Sequence, residues 1–429
     1  MAILLILNFV GNGFPPIIRN NARPIIYTIL SLTFLILLKL WTSGRSNPAE
    51  RPLHGKVVLL TGGTSGIGAQ TALQLAQRGA QLVLLTQSPD SDPFLVEYIQ
   101  DLRERTNNNL IYAEQVNLAD FHSIRKFATK WIDNAPPRRL DMVILCAATL
   151  TPPGGKRKES EEGIEETWMV NFLGNFHLLA ILSPALRVQP IDRDVRIIIP
   201  TCSAYIGSPS LKQELTKQNW SPGKAYARSK LAMNVFGQAF QKHLDVYKRP
   251  DGGIMNTRVI FVDPGLARTP STRRWLTRGS LWGLGLYLVG YIFPWFLLKS
   301  PSMAAQSILY AAMDGNLGRL PGGKLIKECM EVDFARGEVK DEEVAKKLWE
   351  ESDALIEKVE KAQAKRRATE KARDEAKAQQ QKAQEALAAK KKKEQEQKDE
   401  VQGLVDAIKK GKEQEKQKAA KTKKKTKAK

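Results

Sequence analysis

Short apolar runs and helical patterns succeed one another through the middle of the chain. Val57–Leu60 is apolar and rich in branched residues, which predicts a buried parallel strand. Ala72, Leu73, Leu75 and Ala76 follow at helical spacing, and Gly79 stops that helix. Further strands are predicted over Gln81–Ser88, in the segment ending Gln115–Leu118, and at Met142–Ile144.

The pattern changes near the N-terminus. Pro24–Trp41 stays apolar for 18 residues, close to the minimum that crosses a hydrocarbon layer. Its one charge, Lys39, can snorkel to the interface. Arg19 and Arg23 precede it, and Arg45 and Arg51 follow, so flanking charge does not set an orientation. No small-x-small cleavage site follows, which predicts an uncleaved anchor. Ile3–Val10 is too short to span and reads as an interfacial or re-entrant piece.

A second apolar run, Ser280–Leu298, carries Trp282, Tyr287, Tyr291, Phe293, Trp295 and Phe296. Aromatics of this kind suit a membrane interface. The run is read as a flap dipping into lipid, ahead of a full span or a soluble lobe. From Asp341 glycine and aromatics thin out. Val344, Leu348, Leu355, Ile356 and Val359 leave a narrow apolar stripe, and beyond it Ala, Lys, Glu and Gln favour helix without a coiled-coil heptad. The expected organisation is an N-terminal segment 1–23, an anchor 24–41, a linker 42–52, a catalytic domain 53–336 and a basic helical or disordered tail 337–429.

Composition sharpens two points. The net charge is +21, but residues 357–429 hold 25 basic against 13 acidic residues, so about +12 sits in the tail. A solvated extension is the leading expectation there. Lys390–Lys393 and Lys421–Lys425 could touch anionic lipid, with nucleic acid a less favoured partner. Three cysteines, Cys146, Cys202 and Cys329, argue for a reducing compartment rather than a disulfide framework. Cys146 and Cys202 are expected as core thiols on neighbouring strands. His54, His122, His177 and His243 have no metal-ligand spacing, so no metal is expected.

Between the first strand and its helix stands Thr61-Gly-Gly-Thr-Ser-Gly-Ile-Gly68. Gly62 permits a tight turn; Gly66 and Gly68 let backbone approach a phosphate at the helix N-terminus. Far downstream, Tyr226-Ala-Arg-Ser-Lys230 places a phenol and an ammonium one helical turn apart. A carbonyl that accepts hydride needs a proton at its oxygen. A free phenol titrates near 10, and a neighbouring ammonium is expected to lower that value.

These motifs resemble the short-chain dehydrogenase/reductase family over Leu53–Arg336. Thr61–Gly68, including Thr64, Ser65 and Ile67, matches the cofactor loop. Asn171 matches the structural and catalytic asparagine, Ser203 the catalytic serine at a strand end, and Tyr226 with Lys230 the acid/base pair. Pro264, Gly265 and Thr269 match the segment that closes over the nicotinamide. The long gap from Ser203 to Tyr226 and the apolar N-terminus are similar to a membrane-associated, retinol-dehydrogenase-like branch. The resemblance implies an α/β fold, a doubly wound Rossmann-type parallel sheet of about seven strands with helices on both faces. The site is then expected at the carboxyl ends of the strands. It also implies that Lys230 holds the nicotinamide ribose, that Ser203 donates to the substrate oxygen, and that Asn171 supports a water relay.

Three positions depart from the family. Its Asn-Asn-Ala-Gly is Leu145-Cys146-Ala147-Ala148 here, keeping only Ala147, which should weaken cofactor binding. The acidic residue capping the third strand is Asn117. The second strand ends in Thr86-Gln87-Ser88 with no carboxylate for a ribose 2′-hydroxyl, which favours NADP(H) over NAD(H) at Gln87. The expectation is a membrane-bound oxidoreductase interconverting a lipophilic ketone or aldehyde and its alcohol, on endoplasmic reticulum or lipid-droplet surfaces with its catalytic domain in the cytosol. The rival is a non-catalytic dinucleotide-binding scaffold presenting the tail.

Overall fold

The computed structural model describes residues 21–425 apart from Pro137 and Glu214. The expected interfacial run Ile3–Val10 lies outside the described residues. Strands β1 (Val57–Thr61), β2 (Gln81–Thr86), β3 (Ile111–Gln115), β4 (Met142–Leu145), β5 (Val195–Pro200), β6 (Thr257–Asp263), β7 (Lys324–Lys327) and β8 (Met330–Val332) form one sheet in the order β3-β2-β1-β4-β5-β6-β7-β8. The first seven are parallel, and β8 adds an antiparallel edge. That eighth strand was not expected. It returns through Glu328 and Cys329, both left-handed (φ 52° and 56°), a turn made without the glycine that usually marks it.

Helices are α1 (Ala22–Ser43), α2 (Gly66–Gln77), α3 (Pro93–Thr106), α4 (Phe121–Ile132), α5 (Glu166–Arg187), α6 (Pro222–Val246), α7 (Pro270–Leu276), α8 (Leu281–Val289), α9 (Ile292–Leu297), α10 (Pro301–Met313) and α11 (Glu342–Lys425). Several begin with a proline just after a capping side chain. Asp92 accepts from Phe94 N, Ser221 from Lys224 N and Ser300 from Met303 N.

Alternate strand residues face opposite helix layers. Leu59, Val83, Val143, Ile197, Val259 and Phe261 pack with Phe127, Leu178 and Phe236 of α4, α5 and α6. Leu60, Leu84, Ile144, Ile198 and Val262 pack with Ala72, Leu75, Ile308 and Leu309 of α2 and α10. Both faces are therefore dry, which is why the strands read as unbroken apolar runs. Helix α5 is apolar enough to cross a membrane but is 72% buried in this core.

The compact unit runs past Arg336 to Val359. Val344, Leu348 and Ile356 of α11 are buried in the core, and the Trp349 ring lies 5.4 Å from both Phe176 and Phe236. The second unit, residues 360–429, is helical as far as Lys425, and Leu387, Val401, Leu404 and Ile408 are exposed along it.

Helix α1 is long and apolar enough to span a bilayer, and its window is 0% buried. The apolar run 280–298 is not one helix. It breaks at Gly290–Tyr291 into α8 and α9, of nine and six residues, each too short to cross. Its neck is closed by a bridge between Ala267 and Lys299. Lys39 Nζ donates to the Trp295 carbonyl at 2.6 Å, and Thr42 Oγ1 to the Phe296 carbonyl at 2.8 Å, so α1 is fastened to α9.

Candidate active site

At the carboxyl end of β1 the chain enters its glycine loop through Gly62, with φ 67°. Three glycines here face neighbours that leave little or no room for a Cβ. At Gly62 it would lie 2.8 Å from the Ala147 backbone; at Gly68, 2.1 Å from the Gly62 carbonyl oxygen; at Gly66, 3.4 Å from Thr269. Thr64 and Ser65 are exposed at the rim and Ile67 is half-buried. Ser65 makes no side-chain cap on α2, so its first amides keep their capacity for an anion. This hollow of backbone at a helix start fits a pyrophosphate.

Other expected cofactor residues divide between rim and framework. Gln87 is exposed at the end of β2. Thr61 is buried, and its Oγ1 accepts from Ala147 N at 3.1 Å, joining the ends of β1 and β4. Asn117 Oδ1 accepts from Ala119 N at 2.9 Å and turns the loop after β3. Gly265, with φ 76°, donates its amide to Asp263 Oδ1 at 2.9 Å, and the Pro264 carbonyl accepts from Lys299 at 3.4 Å. Thr269 caps α7 through Thr272 N.

Tyr226 stands in the second turn of α6, with Lys230 one turn further. Lys230 is buried; its Nζ lies 5.8 Å from the Tyr226 ring centre and donates to the Pro200 carbonyl at 3.1 Å. Burial pulls the ammonium below its usual pKa. The phenol was expected to be lowered by this lysine. Instead burial, helped by the Cys202 thiol and the Asp263 carboxylate, raises it well above 10. Desolvation of a phenolate outweighs an ammonium that is already engaged elsewhere. Tyr226 is therefore a neutral phenol at neutral pH, suited to giving a proton.

Asn171 sits in a π turn, Met169–Leu173, within α5. Its Oδ1 accepts from Thr149 N at 2.7 Å, and its Nδ2 donates to the Thr149 carbonyl at 3.0 Å and to Ser229 Oγ at 3.1 Å. Ser229 Oγ donates in turn to the Tyr226 carbonyl at 2.8 Å. The asparagine side chain thus clamps the segment after β4 to the helix that carries the phenol.

Ser203 shares no hydrogen bond with Tyr226, Lys230 or Asn171 among the described residues. Its Oγ donates to Asp263 Oδ2 at 2.8 Å, and its side chain lies at the surface. The side chain bonded to the Tyr226 hydroxyl is Cys202, whose Sγ lies 3.8 Å from that oxygen.

The short chain dehydrogenase family matches residues 56–278. The chain belongs to this family. Uncharacterized oxidoreductase pbr1 of Schizosaccharomyces pombe is 42% identical over 79% of this chain and 91% of its own length. Retinol dehydrogenase 13 of Homo sapiens is 31% identical over 75% and 90%, and polyprenol dehydrogenase of Mus musculus 30% over 71% and 84%. A crystal structure from Mycobacterium paratuberculosis shares the fold, with TM-score 0.51 and 22% identity over 73% of this chain and 98% of that one.

As a short-chain dehydrogenase the protein is an oxidoreductase using a nicotinamide dinucleotide. Gly68→Ala should weaken NADPH binding at least about tenfold, because its Cβ would strike the Gly62 carbonyl and reshape the loop. Nucleotide fluorescence titration checks this, and unchanged affinity would remove the loop from the site. Asp263 and Lys327 were not anticipated from sequence, and Cys202 was expected only as a core thiol. The usable signal was the carboxylate at the end of β6. Pro200 pairs with Val262, so Asp263 stands beside the residues leaving β5.

Proposed function

We propose that this short-chain dehydrogenase is membrane-anchored and interconverts a lipophilic aldehyde or ketone with its alcohol, using NADP(H). One observation carries the reading: a neutral phenol, Tyr226, stands beside Lys230 where β5 and β6 end, close to the glycine hollow. The bound dinucleotide supplies or accepts the hydride. Tyr226 gives its hydroxyl proton to the substrate oxygen in reduction and recovers it in oxidation. Lys230 is the residue placed to hold the nicotinamide ribose, and Asn171 keeps α6 in register with the loop after β4. Gln87, with no carboxylate beside it on the strand end, tolerates a 2′-phosphate.

Support for the membrane and the substrate class comes from the exposed apolar surface. Ile26, Leu30, Phe34 and Leu37 of α1 are exposed, as are Leu281, Trp282 and Val289 of α8. A patch on this scale marks a lipid or partner surface. The lobe that carries α8 begins beside Gly265, so an apolar substrate has a lipid-facing approach to Tyr226. The names of the retinol and polyprenol relatives agree with such a substrate. Endoplasmic reticulum or lipid-droplet membranes are the proposed setting, with the catalytic domain in the cytosol. The exposed basic tail is then free to touch anionic headgroups.

The test uses the full chain in phospholipid micelles, with NADPH or NADH and either retinal or a polyprenal. Turnover with NADPH is expected, and Gln87→Asp should move the NADPH/NADH ratio of kcat/KM toward NADH by about tenfold. No turnover with either aldehyde, despite NADPH binding, would sink the substrate class. An unmoved ratio would sink the cofactor assignment.

A further inference from the structure

The hydroxyl of Ser203 and the thiol of Cys202 are adjacent in sequence but serve different partners. A serine hydroxyl has one proton. Ser203 gives it to Asp263 Oδ2 at 2.8 Å, while Lys327 Nζ approaches Ser203 Oγ at 3.5 Å and Asp263 Oδ2 at 3.4 Å. Asp263 is 4% exposed and also holds Gly265 N. Turning Ser203 away would leave a buried carboxylate short of a donor, which is costly. The segment that follows is pinned as well. Tyr205 is buried and its hydroxyl accepts from Ala335 N at 3.0 Å; Arg336 reaches the Ser208 carbonyl at 2.5 Å. Rotation of this stretch to exchange the two side chains would break those bonds together.

Cys202 has a different partner. Its Sγ lies 3.8 Å from the Tyr226 hydroxyl oxygen, within the range of an S–H contact. An atom placed to receive the Tyr226 proton is within reach of that thiol, whereas the Ser203 proton is already given to Asp263. We propose that Cys202 is the second hydrogen-bond donor to the substrate oxygen, and that Ser203 is a framework residue of the β5–β6 edge. This rests on the dehydrogenase reading given above. A thiol is a weaker donor than a hydroxyl, so this position is held by the poorer of two possible groups, and a hydroxyl there should serve at least as well.

The experiment compares Cys202→Ala, Cys202→Ser, Ser203→Ala and Tyr226→Phe in the full chain in phospholipid micelles, with NADPH and retinal. Cys202→Ala should lower kcat by about 10- to 100-fold at unchanged NADPH affinity. Cys202→Ser should match or exceed the parent, which separates a lost donor from a damaged fold. Ser203→Ala should stay within about threefold of the parent, since it touches no reacting atom. N-ethylmaleimide should inactivate the parent and spare Cys202→Ser. The Cys146 thiol is pushed up to about 12 by burial, and burial raises the Cys329 thiol as well, so neither competes well for the reagent. Full activity in Cys202→Ala, a larger loss in Ser203→Ala, or equal maleimide sensitivity in Cys202→Ser would each overturn the assignment. An active Tyr226→Phe would instead overturn the dehydrogenase reading. An inactive Tyr226→Phe beside a fully active Cys202→Ala overturns the cysteine assignment alone.

Discussion

Tyr226→Phe should lower kcat for carbonyl reduction by about 10²- to 10⁴-fold while NADPH still binds. The change removes one oxygen and leaves a ring of nearly the same shape, so the packing of this turn of α6 survives. Only the proton source disappears. The raised pKa of this phenol adds a second signature. A raised value means the protonated form persists through the neutral range. Reduction, which uses the protonated form, should therefore stay level in Tyr226-dependent rate from about pH 6 to about pH 9. Oxidation, which needs the phenolate, should climb over the same interval. Steady-state pH profiles in both directions check this. Full turnover in the variant, or a reductive rate that falls through neutrality with the phenol's titration, would remove Tyr226 from the role of proton donor.

Ending the chain at Lys340 should cost the fold, whereas ending it at Val359 should not. The first turns of α11 bring Val344, Leu348 and Ile356 into the core and set Trp349 against Phe176, Phe236 and Phe240. Their removal would bare those rings to water. Trp349→Ala alone should cost about 2–4 kcal/mol and lower the melting temperature by about 5 °C or more. Residues after Val359 contribute no buried side chain among those described, so their deletion should leave melting and turnover as they are. Thermal unfolding of the two truncations and of Trp349→Ala, with NADPH binding as a second readout, decides it. A folded, cofactor-binding chain ending at Lys340 would refute the packing argument.

The contrast between these two predictions follows what a linear pattern can carry. Val57–Leu60, the glycine loop and the Tyr226–Lys230 pair were legible because each is a local repeat whose geometry is set within a few residues. Strand β8 was not, because its turn uses Glu328 and Cys329 in a conformation that neither residue advertises. Ser203 is a different case. At an irregular strand exit the local pattern does not say which partner each side chain finds, and Ser203 finds Asp263, about 60 positions away, while Cys202 finds Tyr226. Tyr226 shows the same dependence on distant groups. The helical spacing to Lys230 is visible in sequence, but burial and the engagement of Lys230 by Pro200 are not. The stripe Val344–Val359 was visible as apolar, yet nothing local said that a core waited for it.

The bonds from Lys39 and Thr42 to the carbonyls of Trp295 and Phe296 tie the end of α1 to α9. A change in the tilt of the first helix would therefore be passed to α9 and to the Ala267–Lys299 bridge at the base of its lobe.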